Sequence, residues 1–267
     1  LFSCEGKIMN LNLNGKRAII CGSTDGIGKA TAILMADLGA EVILLARDQY
    51  KLDNTLDELS TKNSQSHSTI CADFNNPEKL NEIVNKELHE PVHILLNNSG
   101  GPHGGPLINS NIDEFREGFE RLLISNQIMV KSVFEGMKQM QYGRIINIIS
   151  ISINNVIPGL GVSNTIRGAV AQWAKTLALE IGQYGITVNN VLPGYTNTSR
   201  LQELADAKSK ASGVTVDEIR SIWANSSASK RIGEPEEIAN AVAFLASDAS
   251  SFINGIDITV DGGRSGA

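Results

Sequence analysis

Short apolar runs alternate along the chain with stretches whose apolar residues recur every three or four positions. Runs at 17–21 (RAIIC), 41–46 (EVILLA), 92–96 (VHILL), 143–150 (GRIINIIS) and 186–192 (ITVNNVL) have the composition of strands buried on both faces of a parallel sheet. Runs at 66–71 and 256–260 complete seven expected strands. Between them, Ile27, Ala30, Ile33, Leu34 and Leu38 repeat at helical spacing until Gly39-Ala40. A short amphipathic helix is expected at 50–59. Asn76-Pro77 reads as a helix cap followed by proline at the first helical position, with Leu80, Ile83, Val84 and Leu88 as the apolar face and Pro91 as the stop. A long helical segment covers 112–140, with a break expected near 124–126. A second covers 163–181, with Val170, Trp173, Leu177 and Ile181 as its buried stripe and Gly185 beyond its end. Glu234-Pro235 opens a last helix within 231–246. Strands and helices alternating in this way predict one α/β domain around a parallel sheet.

The first strand runs into glycines, Gly22, Gly26 and Gly28, spaced G-x-x-x-G-x-G, and then into a helix. Glycines let the backbone approach a pyrophosphate, and the unpaired N–H groups at the helix start favour its negative charge. Three glycines near one turn are a weak signal alone. The second strand adds to it, because in a dinucleotide fold its end faces the adenosine ribose. A carboxylate there bonds the 2′-hydroxyl, whereas a neutral residue with a nearby arginine suits a 2′-phosphate. Here Ala46 is followed by Arg47, a permanently charged planar fork. That favours NADP(H) over NAD(H). Asp48, one step on, keeps NAD(H) open, and the plain alternative for Arg47 is a solvated surface charge.

Composition narrows the classes further. The 267 residues, 42% hydrophobic, suffice for one substantial core, and the formal charge of −6 argues against a nucleic-acid footprint. No run of about 18 apolar residues suggests a membrane span. Cys4, Cys21 and Cys71 lack metal or disulfide spacing, and the two at strand ends read as small buried hydrophobes. With no signal-peptide pattern at the start, a reducing, cytoplasmic location is expected. Met9 opens the sequence MNLNLNGKRAII, so residues 1–8 are set apart as an extension and 9–267 as the domain.

Over roughly residues 14–263 the chain resembles the short-chain dehydrogenase/reductase family. The glycine turn matches, with Cys21 where the family usually has Thr. Asn97-Asn98-Ser99-Gly100 resembles the family's Asn-Asn-Ala-Gly, and Pro193-Gly194 and Asp261-Gly262-Gly263 close the pattern. The resemblance implies a doubly wound Rossmann-type fold of about seven parallel strands and hydride exchange between a nicotinamide cofactor and a carbonyl or alcohol, 3-oxoacyl compounds among them. It implies cofactor contacts at Gly22, Ser23, Asp25, Gly26, Ile27, Gly28, Arg47, Asp73, Asn98, Gly100, Arg167, Pro193, Gly194 and Thr198. Asp73 falls where the family holds the adenine amino group, and Thr198 where it bonds the carboxamide. Asn126 falls where the family props a water, and Ser150 at the carboxyl end of the strand that bears the catalytic serine. The polar stretch 199–230 is expected to be a helical substrate lid, whose Leu201, Leu204, Ile219, Ile222 and Trp223 suggest an apolar carbonyl compound. The family's pairing helices imply a homodimer or homotetramer, with Phe134 and Trp173 at the interface.

One part of the family pattern is replaced. Where a tyrosine acid/base and a lysine four residues later share a helix face, this chain has Ser163 and Arg167. Arg167 keeps a cation for the ribose, but serine is a far poorer acid than a phenol of pKa about 10. Catalytic roles therefore fall to Asn126, Ser150, Ser163 and Arg167, with the proton arriving through an oriented water. His103, in the small flexible run GGPHGGP, is the rival donor. Two functions stay open: an NADP(H)-dependent oxidoreductase with an altered proton donor, and an NADP(H)-binding protein without turnover that acts as a sensor or partner subunit.

Overall fold

A computed structural model describes residues 9–266; the expectation for 1–8 lies outside the described residues. Seven strands form the sheet: β1 (Arg17–Cys21), β2 (Glu41–Ala46), β3 (Ser68–Cys71), β4 (Ile94–Asn97), β5 (Gly143–Ile148), β6 (Ile186–Pro193) and β7 (Asp257–Val260). Their order is β3-β2-β1-β4-β5-β6-β7, and every neighbouring pair is parallel. The chain reverses direction across the sheet between β1 and β4, the place where doubly wound sheets open a crevice at their carboxyl ends.

Helices cover both faces. In chain order they are α1 (Gly26–Asp37), α2 (Gln49–Leu56), α3 (Pro77–Glu87), α4 (Ile112–Phe119), α5 (Ser125–Met140), α6 (Gly161–Ile181), α7 (Ser199–Ser212), α8 (Val216–Asn225) and α9 (Pro235–Ala246). Met35 of α1, Leu52 of α2 and Val242 of α9 pack with Ile20, Leu44 and Leu96 on one face. Leu80 of α3, Met129 and Val133 of α5 and Ala178 of α6 pack with Ile19, Leu95 and Ile145 on the other. Alternate residues of each central strand thus enter opposite cores, which is why these strands carry continuous apolar runs.

Several expectations shift in detail. Strand β3 starts at Ser68, because the His67 ring takes the Val42 N–H (3.0 Å) that strand pairing would otherwise use. The expected break at 124–126 is instead a π-helical turn, Glu120–Ile124, which joins α4 to α5 without interrupting the path. Along α6 the buried stripe is Val162, Ile166, Val170, Ala174, Ala178 and Ile181, while Trp173 and Leu177 stay half-buried; the indole N–H of Trp173 donates to Gln127 Oε1 at 2.7 Å. Cys21 is buried as expected, and burial pushes its thiol pKa up. Cys71 is exposed, which corrects its reading as a buried hydrophobe: β3 is the sheet edge, and alternation sets Cys71 opposite to buried Ile70. Cys4 lies outside the described residues. Among the described residues, no helix is long and apolar enough to cross a membrane.

Candidate active site

The crevice is built on the glycine turn. A Cβ on Gly28 would sit 2.0 Å from the Gly22 carbonyl oxygen, and one on Gly22 would sit 2.7 Å from the Asn98 carbonyl oxygen, so both positions require glycine. Asn98 fastens this packing by donating from Nδ2 to the Cys21 and Gly22 carbonyls at 3.2 and 3.4 Å. Asp25, at the N-cap of α1, makes no side-chain cap; its carboxylate accepts from the Ser199 hydroxyl instead. With no acidic residue in the first turn either, the N–H groups around Ile27 and Gly28 have no side-chain anion of their own. Ser23 departs from expectation: it is buried, and its hydroxyl donates to the Leu45 carbonyl at 3.4 Å. Thr198 caps α7 by accepting from Leu201 N–H at 3.2 Å, and its methyl group lies against Gly26. Gly194 follows Pro193 and pairs with the Val260 carbonyl at 2.9 Å.

At the end of β2, Arg47 is exposed and pairs with no carboxylate within 4 Å among the described residues. The neighbouring Asp48 is occupied: its carboxylate caps α2 by accepting from Lys51 N–H at 3.1 Å. Asp73 is exposed after β3 and accepts from Asn75 N–H at 2.9 Å. Gly100 is exposed beyond β4.

At the carboxyl end of β5, Arg167 gathers the candidate catalytic groups. Its Nε donates to Ser163 Oγ at 3.2 Å, and its Nη1 donates to the carbonyls of Ile148 (3.2 Å) and Ile149 (2.6 Å). Ser163 is buried and Arg167 half-buried, one helical turn apart on α6. Burial, reinforced by the charge of Arg200, lowers the Arg167 pKa to about 10, which leaves it cationic at neutral pH. Ser150, next after Ile149, accepts from Ser152 N–H at 3.1 Å and starts a short 3-10 turn. Behind Arg167 is a cavity of about 10 Å³, lined by Asn97, Ser99, Leu122, Asn126, Ile148, Ile149, Arg167 and Val170. That is the size of a single water site. The π turn immediately before α5 disturbs the helical hydrogen-bond ladder next to Asn126.

None of the four tyrosines is at Ser163. Tyr50 is exposed on α2, Tyr142 donates to the Ala246 carbonyl at 3.3 Å, Tyr184 stands edge-on to Phe134, and Tyr195 stacks on Trp223. Burial also pushes the Tyr142 hydroxyl up to about 12. His103 is exposed, and its loop is less free than its glycines suggest. Gly105 exchanges backbone hydrogen bonds with Gly159 (2.7 Å) and Gly161 (3.1 Å), and Arg200 donates to the Pro102 carbonyl at 2.7 Å.

The stretch 199–230 is helical, forming α7 and α8, but its apolar residues serve a different purpose than expected. Leu201, Ile219 and Trp223 are buried in a cluster of their own with Ala205, so they hold the two helices together. Leu204 packs against that cluster, while Ile222 of α8 is exposed.

Sequence reasoning missed a row of amides across the sheet. Asn97 donates to Asn147 (2.9 Å), Asn147 to Asn190 (3.0 Å), and Asn190 to the carboxylate of Asp257 (2.8 Å), which pairs with Lys175 of α6 at 2.7 Å. The four residues are register partners on β4, β5, β6 and β7. Asp257, an acceptor when ionised, sets the direction of every donor in the row. The last acceptor, Asn97 Oδ1, is buried without a protein donor, and Asn97 lines the cavity beside Arg167. Polar residues at the same depth in three apolar strands were the available signal. Arg121 and Arg200, which both donate to carbonyls of the loop after β4, were also missed.

The family model described as enoyl-(acyl carrier protein) reductase matches residues 22–265. The chain is 31% identical over 256 residues to a chloroplastic tropinone reductase homolog of Arabidopsis thaliana, covering 95% of this chain and 77% of the relative. It is 32% identical over 255 residues to a 3-oxoacyl-[acyl-carrier-protein] reductase of Vibrio cholerae, covering 95% and 98%. Among solved structures, it is similar to L-sorbose reductase from Gluconobacter frateurii complexed with NADPH and L-sorbose, with a TM-score of 0.89, 27% identity and 97% and 100% coverage.

Proposed function

The chain belongs to the short-chain dehydrogenase/reductase family, and on that premise we propose that it interconverts a ketone or aldehyde and its alcohol with NADP(H), the proton passing through water. As a family member it is an NAD(P)-dependent dehydrogenase or reductase. The preference for NADP(H) rests on the contrast at the end of β2, where Arg47 is unpaired among the described residues while Asp48 is held as the cap of α2. The residues present fit a dinucleotide. The N-terminus of α1 lacks a side-chain cap and suits a pyrophosphate, with Gly22, Gly26 and Gly28 giving close approach. Asp73 would take the adenine, Arg167 the nicotinamide ribose, and Thr198 the carboxamide, with Asn98, Gly100, Pro193 and Gly194 shaping the floor. Ser23 is buried against Leu45 behind this surface.

When bound, the reduced nicotinamide supplies the hydride. Because Arg167 donates into Ser163 Oγ, the serine proton remains free to donate to a substrate oxygen. Ser150, at the end of β5, is the second hydroxyl for that oxygen. Asn97 Oδ1 and Asn126 hold a water in the cavity beside Arg167, from which the proton is replaced. General acid/base help contributes about 10² to 10⁴ in rate, so a modest kcat is expected.

Fluorescence titration with NADPH and NADH, followed by an NADPH-oxidation screen of ketones and aldehydes, tests the reading. Equal affinities would remove the NADP(H) assignment. Absence of tyrosine at Ser163 favours the second reading, an NADP(H)-binding protein without turnover, if every carbonyl fails. The reading includes a cytoplasmic location, supported by the free thiols of Cys21 and Cys71. It also includes a homodimer or homotetramer, supported by the open apolar groove of Ile112, Phe115, Phe119 and Ile166 on α4 and α6. Phe134 and Trp173 are only half-buried within one chain. A monomer by light scattering at micromolar concentration would refute the assembly.

A further inference from the structure

Three guanidinium groups from three elements converge on one dipeptide after β4. Arg121, in the π turn, donates from Nη1 to the Gly101 carbonyl at 3.4 Å. Arg200, in the first turn of α7, donates from Nη2 to the Pro102 carbonyl at 2.7 Å. Nη2 of Arg167, on α6, lies 3.3 Å from where a Cβ on Gly101 would be. Among the described residues, no carboxylate lies within 4 Å of Arg121 or Arg167. Among the same residues Arg200 pairs only with Glu203 at 3.1 Å, an exposed (i, i+3) contact of the kind that contributes little.

We infer that Arg200, with Arg121 beside it and next to the Arg167 that would take the ribose, forms a subsite for the carboxylate of a short oxo-acid substrate. The inference deepens the oxidoreductase reading and rests on it for the carbonyl half of the molecule. Like charges gathered in a chain of net charge −6 repel one another, and the charge of Arg200 adds to burial in lowering the Arg167 pKa. An anion between them removes that repulsion and matches the bidentate fork of a guanidinium. The position also separates this anion from those of the cofactor. A 2′-phosphate belongs at Arg47 beyond β2, and a pyrophosphate at the start of α1. The point beside Gly101 that is 3.3 Å from Arg167 Nη2 is 3.8 Å from Ser163 Oγ, so carboxylate and carbonyl subsites are within reach of one small molecule. Of the lid's apolar residues, Leu201, Ile219 and Trp223 are closed into their own cluster and Leu204 packs against it.

The test compares pyruvate, acetoacetate and levulinate with their methyl esters by calorimetric titration, with and without NADPH, and by NADPH oxidation. At least one acid is expected to bind about 10- to 100-fold more tightly than its ester, the difference expected of a charge-assisted hydrogen bond. Arg200→Gln should abolish that preference and Arg200→Lys should restore part of it. Three results overturn the subsite: no preference for the acid in any pair, a preference that survives Arg200→Gln, or an Arg200→Gln variant that weakens NADPH alone. Failure to bind NADPH contradicts the oxidoreductase reading instead, while the acid–ester comparison on the free protein still judges the subsite.

Discussion

Arg167 donates from Nε to Ser163 Oγ at 3.2 Å, one turn apart on the same face of α6. The cation thus positions a hydroxyl, and its Nη1 is committed to the Ile148 and Ile149 carbonyls. If Ser163 donates to the substrate oxygen, Ser163→Ala should lower kcat by about 10² to 10³, as loss of one oxyanion donor does, with NADPH affinity unchanged. Ser163→Tyr combined with Arg167→Lys should raise kcat above wild type if the helix carries the new ring correctly. Because the Arg167 cation is lost as pH rises through about 10, affinity that depends on it should fall above that pH.

His103 should not be the proton source. It is exposed, and the loop backbone on either side of it is tied at Pro102 to Arg200 and at Gly105 to Gly159 and Gly161, which opposes a loop movement that would carry the imidazole over the pocket. His103→Ala is expected to keep most carbonyl reduction under saturating NADPH. A loss of about 10² to 10⁴ would make His103 the general acid.

Cofactor choice turns on Arg47. Arg47→Ala should weaken NADPH by about 10- to 100-fold, the worth of a charge-assisted hydrogen bond to phosphate, and leave NADH nearly unchanged in fluorescence titration. An equal loss for both cofactors would point to damage to the fold.

The amide row makes a prediction about stability. Asn147→Leu would leave Asn97 Nδ2 and Asn190 Oδ1 buried without partners, each costing about 1 to 3 kcal/mol. Urea denaturation should show a loss of about 2 to 6 kcal/mol, since the two penalties act together. A loss near that of an ordinary surface substitution would mean that the row contributes little.

Most of the architecture was legible because each strand and helix carries its own period. The G-x-x-x-G-x-G turn, Asn76-Pro77 and Glu234-Pro235 mark boundaries by local backbone chemistry that no distant contact overrides. The start of β3 was not legible, since it depends on where the His67 ring lies relative to Val42. Cys71 was misjudged because its burial depends on β3 being an edge strand, which is a property of the whole sheet. Within the site, Ser163 and Arg167 were found by counting from Ser150. Arg121 and Arg200 were not, because only the folded chain brings the π turn and α7 to the same dipeptide. The lid residues Leu201, Ile219 and Trp223 had the right composition for a pocket, but α7 and α8 needed them for their own packing.

Transfer of deuterium from NADPH labelled at C4 of the nicotinamide tests the central claim most directly. Incubation with a panel of ketones, aldehydes and short oxo acids, read by mass spectrometry, should yield at least one alcohol carrying the label from wild-type protein. Tight NADPH binding with no labelled alcohol from any compound, for wild type and for the Ser163→Tyr, Arg167→Lys double variant alike, would contradict it and leave a cofactor-binding protein without turnover.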